Sequence, residues 1–162
     1  SIAMTTNPAF EVAVNLVLEH EGGYSDHPAD KGGPTKFGIS QASYPGEDIK
    51  GMTLDRAKDI YYNDFWLPLQ GFDLPERIST IVFDMAVNMG KTQAVRCLQR
   101  ALGVPDDGWI GPVTKVAVKG SNEAALASEI TARRIIHYAS LDDFPTFGLG
   151  WIRRAIGTLM AA

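Results

Sequence analysis

An apolar stripe at helical spacing near the start of the chain ends at a glutamate that two glycines follow. Phe10, Val14 and Val17 fall on one face of a helix, and Glu21 takes the next position along that face. Gly22-Gly23 ends the helix, because glycine readily adopts the backbone conformation found just past a helix C-terminus. The pattern therefore predicts a first helix that carries a carboxylate on its buried side, at its last turn.

Helical periodicity recurs along the rest of the chain, between turn signals built from Gly, Pro, Asp and Asn. The predicted helices after the first span residues 54–66, 75–89, 91–102, 111–119, 122–140 and 148–160. Strand character is confined to residues 35–39, within a loop over residues 24–40 in which we predict a small hairpin that turns at Gly32-Gly33. The sequence therefore predicts a mainly α fold with a short loop or hairpin after the first helix.

Charge is distributed unevenly along the chain and indicates two parts. Residues 1–90 hold 6 Lys and Arg against 13 Asp and Glu, whereas residues 91–162 hold 9 against 6. We predict a domain over residues 5–90 and a helical subdomain over residues 91–162, packed together because no flexible linker separates them. The acidic first part argues against a nucleic-acid partner. The basic second part suits either an anionic polymer such as a bacterial cell wall or an ordinary solvated surface.

Composition excludes two further classes of protein. A hydrophobic fraction of 45% supports a buried core and argues against a disordered chain. No apolar run approaches the roughly 18 residues of a membrane span, so we expect no integral membrane contact. The one cysteine, Cys97, lies in a helical pattern and is expected to be a buried, inert thiol.

Glu21 is the strongest candidate for a reactive group. Burial of the apolar stripe disfavours a charged carboxylate there, and so does the negative end of the helix dipole. Both effects favour the protonated form, which a general acid requires near neutral pH. The two glycines that follow leave room for a bulky polymer. The alternative is a glutamate that serves only as solvated surface at a helix end.

A second carboxylate usually assists glycoside hydrolysis from the other side of the scissile bond. Asp30 is the first candidate, because it follows Glu21 in a loop that can fold back over the helix end. Thr35 comes next in the chain and has a hydroxyl suited to holding a nucleophilic water. Asp26 is an alternative that also fits an Asx turn, and Asp30 itself also fits a turn before Gly32-Gly33.

Other chemistries lack their sequence patterns. His20-Glu21 begins like the helix of a zinc protease, but Tyr24 stands where the second histidine is required. The three histidines have no metal-ligand spacing, and no Gly-x-Ser-x-Gly elbow supports a serine nucleophile. We therefore predict a site that uses no metal and no organic cofactor.

Five short motifs together resemble one known enzyme family. They are EGGY at residues 21–24, DKGGPTKFGI at 30–39, FDMAVNMG at 83–90, LQRALG at 98–103 and DGWIGPVT at 107–114. The first three are similar to glycoside hydrolase family 108, and the first two resemble its active-site signature. The last two resemble the small helical peptidoglycan-binding domain that follows in this family. The resemblance extends over nearly the whole chain.

This resemblance implies an all-α, lysozyme-like fold and an N-acetylmuramidase, which hydrolyses the bond from N-acetylmuramic acid to N-acetylglucosamine. It implies that Glu21 is the catalytic acid and that the partner is the glycan strand of bacterial peptidoglycan. The order of Glu21, Asp30 and Thr35 is also similar to the catalytic triad of phage lysozymes, with the last gap one residue shorter. We expect the protein to act as a monomer.

Further side chains are expected to contact the glycan. Tyr24 and Trp109 are candidates for stacking on sugar faces, with packing in the core as the alternative. Asn88 is a candidate for binding an N-acetyl group, with a plain role at a helix end as the alternative. Trp151 is expected to pack, and Arg153-Arg154 to be solvated.

Two other functions stay open on the sequence. A lytic transglycosylase attacks the same bond with one carboxylate, because the sugar's own 6-hydroxyl displaces the leaving group. A non-catalytic peptidoglycan-binding accessory of a secretion or phage-lysis system is the third possibility. In each case the protein acts in the periplasm or cell wall. Because no signal peptide is visible, we expect release by a holin or a secretion system.

Overall fold

A computed structural model of the chain describes residues 7–28, 32–69 and 73–162. These ranges contain seven α-helices and one two-stranded antiparallel sheet, so the mainly α prediction is confirmed. The elements in chain order are α1 (Pro8–Glu21), β1 (Thr35–Lys36), β2 (Ile39–Ser40), α2 (Leu54–Tyr61), α3 (Glu76–Met89), α4 (Lys91–Leu102), α5 (Pro112–Lys119), α6 (Glu123–Ala139) and α7 (Phe144–Ala161). None of the helices in these ranges is both long and apolar enough to cross a bilayer.

Local capping sets the starts of α1 and α2 and the end of α1. Asn7 accepts a hydrogen bond from the Phe10 N–H at 3.1 Å and caps α1, and Thr53 caps α2 in the same way. Gly22 has φ +73° and ends α1, as the sequence indicated. The last turn of α1 is therefore set by local chemistry, and Glu21 is its final residue.

A π-helical turn, Tyr62–Trp66, continues α2 where the sequence predicts one long helix. The Leu67 N–H donates to the Tyr62 carbonyl at 2.9 Å, which is the i to i+5 bond of a π-turn. Trp66 is fully buried at its end. The wider turn changes the direction of the side chains between these residues, and such turns occur often beside functional sites.

The hairpin turns at a different place from the one predicted. It turns at Phe37-Gly38 rather than at Gly32-Gly33, with Thr35 paired to Ser40 across the sheet. Both central residues have positive φ, +54° and +80°, as a two-residue type I′ turn requires. The Tyr61 hydroxyl donates to the Phe37 carbonyl at 2.6 Å and holds this uncommon phenylalanine conformation in place.

The last helix begins earlier than predicted. α7 starts at Phe144 rather than near Gly148, with Pro145 in its first turn, where a missing N–H is not needed. Gly148 packs directly on the ring of Phe144, because a Cβ there would lie 2.6 Å from the ring Cδ1. This i, i+4 contact lies within α7 itself, and a larger residue at position 148 would collide with the Phe144 ring.

Helix α3 lies at the centre of the molecule. Every residue from Ile78 to Ala86 is buried, and α3 contacts α1, α4, α6, α7 and the π-helical turn. On one side the rings of Phe10, Trp66 and Phe83 meet edge to face, with centroids 5.6 to 5.9 Å apart. The apolar core runs without a break through residues on both sides of position 90.

Asp84 places a buried carboxylate in the middle of this central helix, with its side chain 1% exposed. Its partners come from three other helices and are His20 Nδ1 at 3.1 Å, Arg134 Nη2 at 2.7 Å, Arg154 Nη2 at 2.9 Å and Thr158 Oγ1 at 3.1 Å. We call these five residues the Asp84 cluster. The cluster ties α1, α6 and α7 to α3, so it links the two parts of the chain.

The electrostatics of the cluster favour an ionised Asp84. Burial raises the pKa of the Asp84 carboxyl, but the hydrogen bond with His20 and the charges of Arg134 and Arg154 outweigh burial. The pKa therefore lies well below its ordinary value of 3.8. Removing a buried carboxylate that lies between two guanidinium groups is strongly destabilising, because the removal leaves uncompensated buried charge.

We expect Asp84→Asn to lower the free energy of unfolding by roughly 3–5 kcal/mol at neutral pH, because Arg134 loses the carboxylate with which it pairs and Arg154 loses one of the two that it binds. Urea denaturation followed by circular dichroism measures the difference. Asp106→Asn is the matched control, since Asp106 pairs with Arg100 at the surface and both side chains are about half exposed. A cost for Asp84→Asn no larger than that of the control would contradict a stabilising role for the cluster.

The same comparison at lower pH tests the sign of the linkage. Because the pKa of Asp84 is lower in the folded state than in the unfolded state, its stabilisation is fully present above the unfolded value. It is lost as the pH falls through the folded-state pKa. We therefore expect the stability difference between the wild type and Asp84→Asn to be smaller at about pH 3 than at neutral pH. A stability difference that grows on acidification would contradict a lowered pKa of Asp84 in the folded state.

Candidate active site

Glu21 ends α1 with its side chain 24% exposed, so its carboxylate lies at the surface of the core rather than inside it. Its Oε1 accepts a hydrogen bond from Arg154 Nη1 at 2.8 Å. The Arg154 side chain is 13% exposed, so the expectation of a solvated Arg154 is wrong. The neighbouring Arg153 is exposed, as expected.

Arg154 bridges two carboxylates that belong to different helices. One guanidinium nitrogen binds Glu21, and the others bind Asp84 at 2.9 to 3.3 Å. Burial lowers the pKa of the Arg154 guanidinium, but the charges and hydrogen bonds of Asp84 and Glu21 raise it above its ordinary value. The planar fork of arginine suits this double contact. Because Asp84 holds Arg154 in place, Arg154 in turn holds the Glu21 side chain in place.

The turn of the hairpin lies directly against Glu21. A Cβ at Gly38 would lie 2.8 Å from Glu21 Cγ and would also clash with the Tyr61 hydroxyl. Only glycine fits here, both for space and for the positive φ of this position. Burial raises the pKa of the Tyr61 phenol, and the charge of Glu21 raises it further, so Tyr61 stays protonated and donates to Phe37.

A cleft of about 500 Å³ opens beside this contact. The hairpin and the segment after it form one wall, α2 and its π-helical turn form the other, and the start of α4 closes one end. The polar residues along it are Ser40, Ser43, Tyr44, Asn63, Asp64 and Lys91. Gly38 and Tyr61 lie next to Glu21 and also line the cleft. The cleft is a polar, open groove, which suits an extended hydrophilic ligand.

Hydrogen bonds across the cleft fix its walls. The Tyr44 hydroxyl donates to Asp64 Oδ2 at 2.7 Å and joins the hairpin side to the π-helical turn. Lys91 Nζ donates to the Asp64 carbonyl at 2.8 Å and lies 5.4 Å from the centre of the Phe65 ring. Burial and the hydrogen bond to Asp64 raise the pKa of the Tyr44 phenol, so it acts as a donor.

The sequence-predicted residues near Glu21 occupy the loop and hairpin after α1. Tyr24 is 43% exposed, and the next residue, Ser25, forms a β-bridge with Thr35. The Thr35 hydroxyl lies 3.5 Å from the Gly33 carbonyl, which is at the limit of a hydrogen bond. Asp30, the predicted second carboxylate, lies outside the described residues.

Asn88 and Trp109 lie on other elements. Asn88, on α3, accepts a hydrogen bond from the Tyr138 hydroxyl and lines a second recess together with His20, Trp151 and Arg154. Trp151 packs against the ring of Tyr138 at 5.4 Å, as expected for a packing residue. Trp109 is 62% exposed on the loop between α4 and α5 and lines neither recess.

Sequence reasoning missed the residues that hold Glu21 in place. Asp84 and Arg154 are 70 positions apart in the chain, and nothing local relates them. One signal was available, because Asp84 interrupts an otherwise apolar helical run, Ile81 to Val87. A charge in that position requires a buried partner. Among the described residues, no group of three or more His, Cys, Asp or Glu side chains is arranged to hold a metal ion.

Comparison with known proteins gives two family matches. The family described as Glycosyl hydrolase 108 matches residues 14–90, which include Glu21, the hairpin and all of α3. The family described as Predicted Peptidoglycan domain matches residues 93–156, which include Arg134 and Arg154. Glu21 therefore lies in the first matched stretch, and its partner Arg154 lies in the second.

A solved structure shows the same fold over nearly the whole chain. The structure of SagA from Brucella abortus is 34% identical in sequence and has a TM-score of 0.85. The similarity covers 93% of this chain and 91% of that chain. No curated protein matches the sequence. The protein is therefore a glycosidase acting on peptidoglycan, in the cell wall or periplasm, and it belongs to the glycosyl hydrolase 108 family.

Proposed function

We propose that the protein is an N-acetylmuramidase that hydrolyses the bond from N-acetylmuramic acid to N-acetylglucosamine, with Glu21 as the general acid. The observation that carries the proposal is the position of Glu21. Its carboxylate is partly exposed beside a polar cleft and is oriented by a buried arginine. The glycan lies in the cleft with its scissile oxygen against Glu21.

Arg154 assists the acid by balancing charge. When Glu21 carries its proton, Asp84 still neutralises Arg154, so no bare cation is left in the protein. When Glu21 gives the proton to the glycosidic oxygen, the new carboxylate pairs with Arg154 at the distance seen here, 2.8 Å. The interaction strengthens as the proton leaves, and therefore it lowers the barrier rather than only binding the substrate.

The water-handling side of the reaction is assigned to Asp30 and Thr35. Asp30 steers the attacking water or stabilises the oxocarbenium-like state, and Thr35 holds the water beside it. Tyr24, Asn88 and Trp109 contact the glycan further from the bond that breaks. Residues 5–90 and 91–162 act as one catalytic unit, because the second segment supplies Arg154 to the acid of the first.

Glu21→Gln is expected to lower the release of reducing sugar from purified cell walls by about 100-fold or more, because glutamine cannot donate the acidic proton. The variant keeps the size of the side chain, and its thermal unfolding temperature should stay close to that of the wild type. Glu129→Gln, at an exposed glutamate of α6, is the matched control and should retain full activity. Lysis by Glu21→Gln at the wild-type rate would refute the assignment of the acid.

Mass spectrometry of a complete digest is expected to show N-acetylmuramic acid at the reducing ends, because water attacks the glycosyl centre. A lytic transglycosylase cleaves the same bond but leaves 1,6-anhydro-muramic ends. Reducing ends formed by N-acetylglucosamine would instead identify a glucosaminidase. Either of these products would overturn the proposed reaction while leaving Glu21 as an acid to be explained.

Arg154→Ala is expected to reduce kcat by about 10-fold or more, because Arg154 orients Glu21 and stabilises the negative charge that develops on it as the proton leaves. Arg154→Lys keeps the charge but not the planar fork, and its kcat should lie between those of the wild type and Arg154→Ala. Arg153→Ala removes the exposed neighbouring cation and should leave kcat unchanged. A loss of stability in Arg154→Ala with an unchanged kcat would show that Arg154 has only a structural role.

A further inference from the structure

Trp109 exposes a large apolar surface that the fold does not use. Its side chain is 62% exposed, whereas Trp66 is fully buried and Trp151 is partly buried between other rings. An indole left in water gives up the stabilisation that its burial would provide. Exposed aromatic rings of this kind are enriched where proteins bind ligands.

One buried side chain, that of Gln99, holds the loop around Trp109 in place. Gln99 of α4, 1% exposed, donates to Asp107 Oδ1 at 2.8 Å and to the Trp109 carbonyl at 2.9 Å. Its Oε1 accepts the Gly108 N–H at 2.9 Å, and the Trp109 N–H donates to Asp107 Oδ1 at 3.0 Å. The backbone is thus fixed on both sides of the exposed ring, so a ligand does not have to order this loop on binding.

The indole ring forms one wall of a small groove. Its six-membered ring rests on the backbone of Gly111, where a Cβ would lie 2.8 Å from the ring Cε3. Beside it is a groove of about 110 Å³, whose other lining residues include Pro105, Asp107, Pro112 and Val113. We call it the Trp109 groove. Hydrogen bonds from the Trp109 N–H and from Gln99 lower the pKa of the Asp107 carboxyl, so the groove also holds a negative charge.

The loop that carries Trp109 runs along α4, and it contacts both Gln99 near the end of the helix and Thr92 in its first turn. A Cβ at Gly108 would lie 3.1 Å from Thr92 Cγ2, so the loop packs on the first turn of α4. The preceding residue, Lys91, lines the cleft.

The chemistry of the groove selects the glycan among the components of peptidoglycan. An N-acetylhexosamine has an apolar C–H face that suits the indole, and its hydroxyl and amide donors suit the Asp107 carboxylate. The carboxylates of a stem peptide would be repelled by Asp107. Resting on the proposed function for the identity of the polymer, we propose that the Trp109 groove is an anchoring subsite that binds an N-acetylhexosamine unit of the glycan strand outside the catalytic cleft.

Binding to insoluble sacculi tests the proposal without requiring turnover. The full chain carrying Glu21→Gln is sedimented with purified sacculi, alone and combined with a second substitution. We expect Trp109→Ala to weaken binding by about ten-fold or more, and Trp109→Phe to retain most of the affinity. Val116→Ala, at a residue of α5 that is 69% exposed but does not line the groove, should leave binding unchanged. Equal binding with and without Trp109→Ala overturns the proposal.

Competition then identifies the part of peptidoglycan that is bound. A soluble N-acetylglucosamine oligomer, which has no peptide, should displace the Glu21→Gln protein from sacculi, and Trp109→Ala should weaken the oligomer's binding as well. Displacement by a free stem peptide but not by the oligomer would overturn the assignment to sugar. Since every variant is compared in the Glu21→Gln background, the result stands apart from the identity of the catalytic acid.

Discussion

The fold depends on one buried carboxylate. Asp84 lies in the central helix α3, in a position where an isolated charge would be strongly unfavourable, and the surrounding hydrogen bonds and cations compensate for it. Its partners lie on α1, α6 and α7, so these helices must reach the same point in space before the charge is compensated. The contacts of the Asp84 cluster are therefore complete only when the second part of the chain docks on the first.

The same cluster explains how a surface carboxylate becomes an oriented one. Glu21 is held through Arg154, which is itself held by Asp84, so this carboxylate has a fixed position although it is partly exposed. On the other side the hairpin turn at Gly38 approaches so closely that no larger residue fits. The two contacts come from opposite ends of the chain. The stretch matched to the peptidoglycan domain is therefore part of the Glu21 site, and not only a module beside it.

The sequence predicts the structure correctly where local physics decides the outcome. The end of α1 at Gly22 and the bounds of α4 follow from glycine geometry and apolar periodicity. The hairpin was predicted, but the position of its turn was wrong, because two adjacent glycines are the more usual turn residues. The turn at Phe37 needs a strained φ that the Tyr61 hydroxyl, distant in sequence, stabilises. A turn that depends on a tertiary contact cannot be predicted from the residues of the turn alone.

By itself the sequence determined that the chain is mainly helical and that its first helix ends in a carboxylate followed by two glycines. Both are consequences of short-range spacing along one chain segment. Only the tertiary structure decided what surrounds that carboxylate: the arginine that binds it, the glycine that touches it and the cleft that opens beside it. These contacts join residues separated by up to 133 positions, and a pairwise interaction at that separation leaves no periodic or local mark in the sequence.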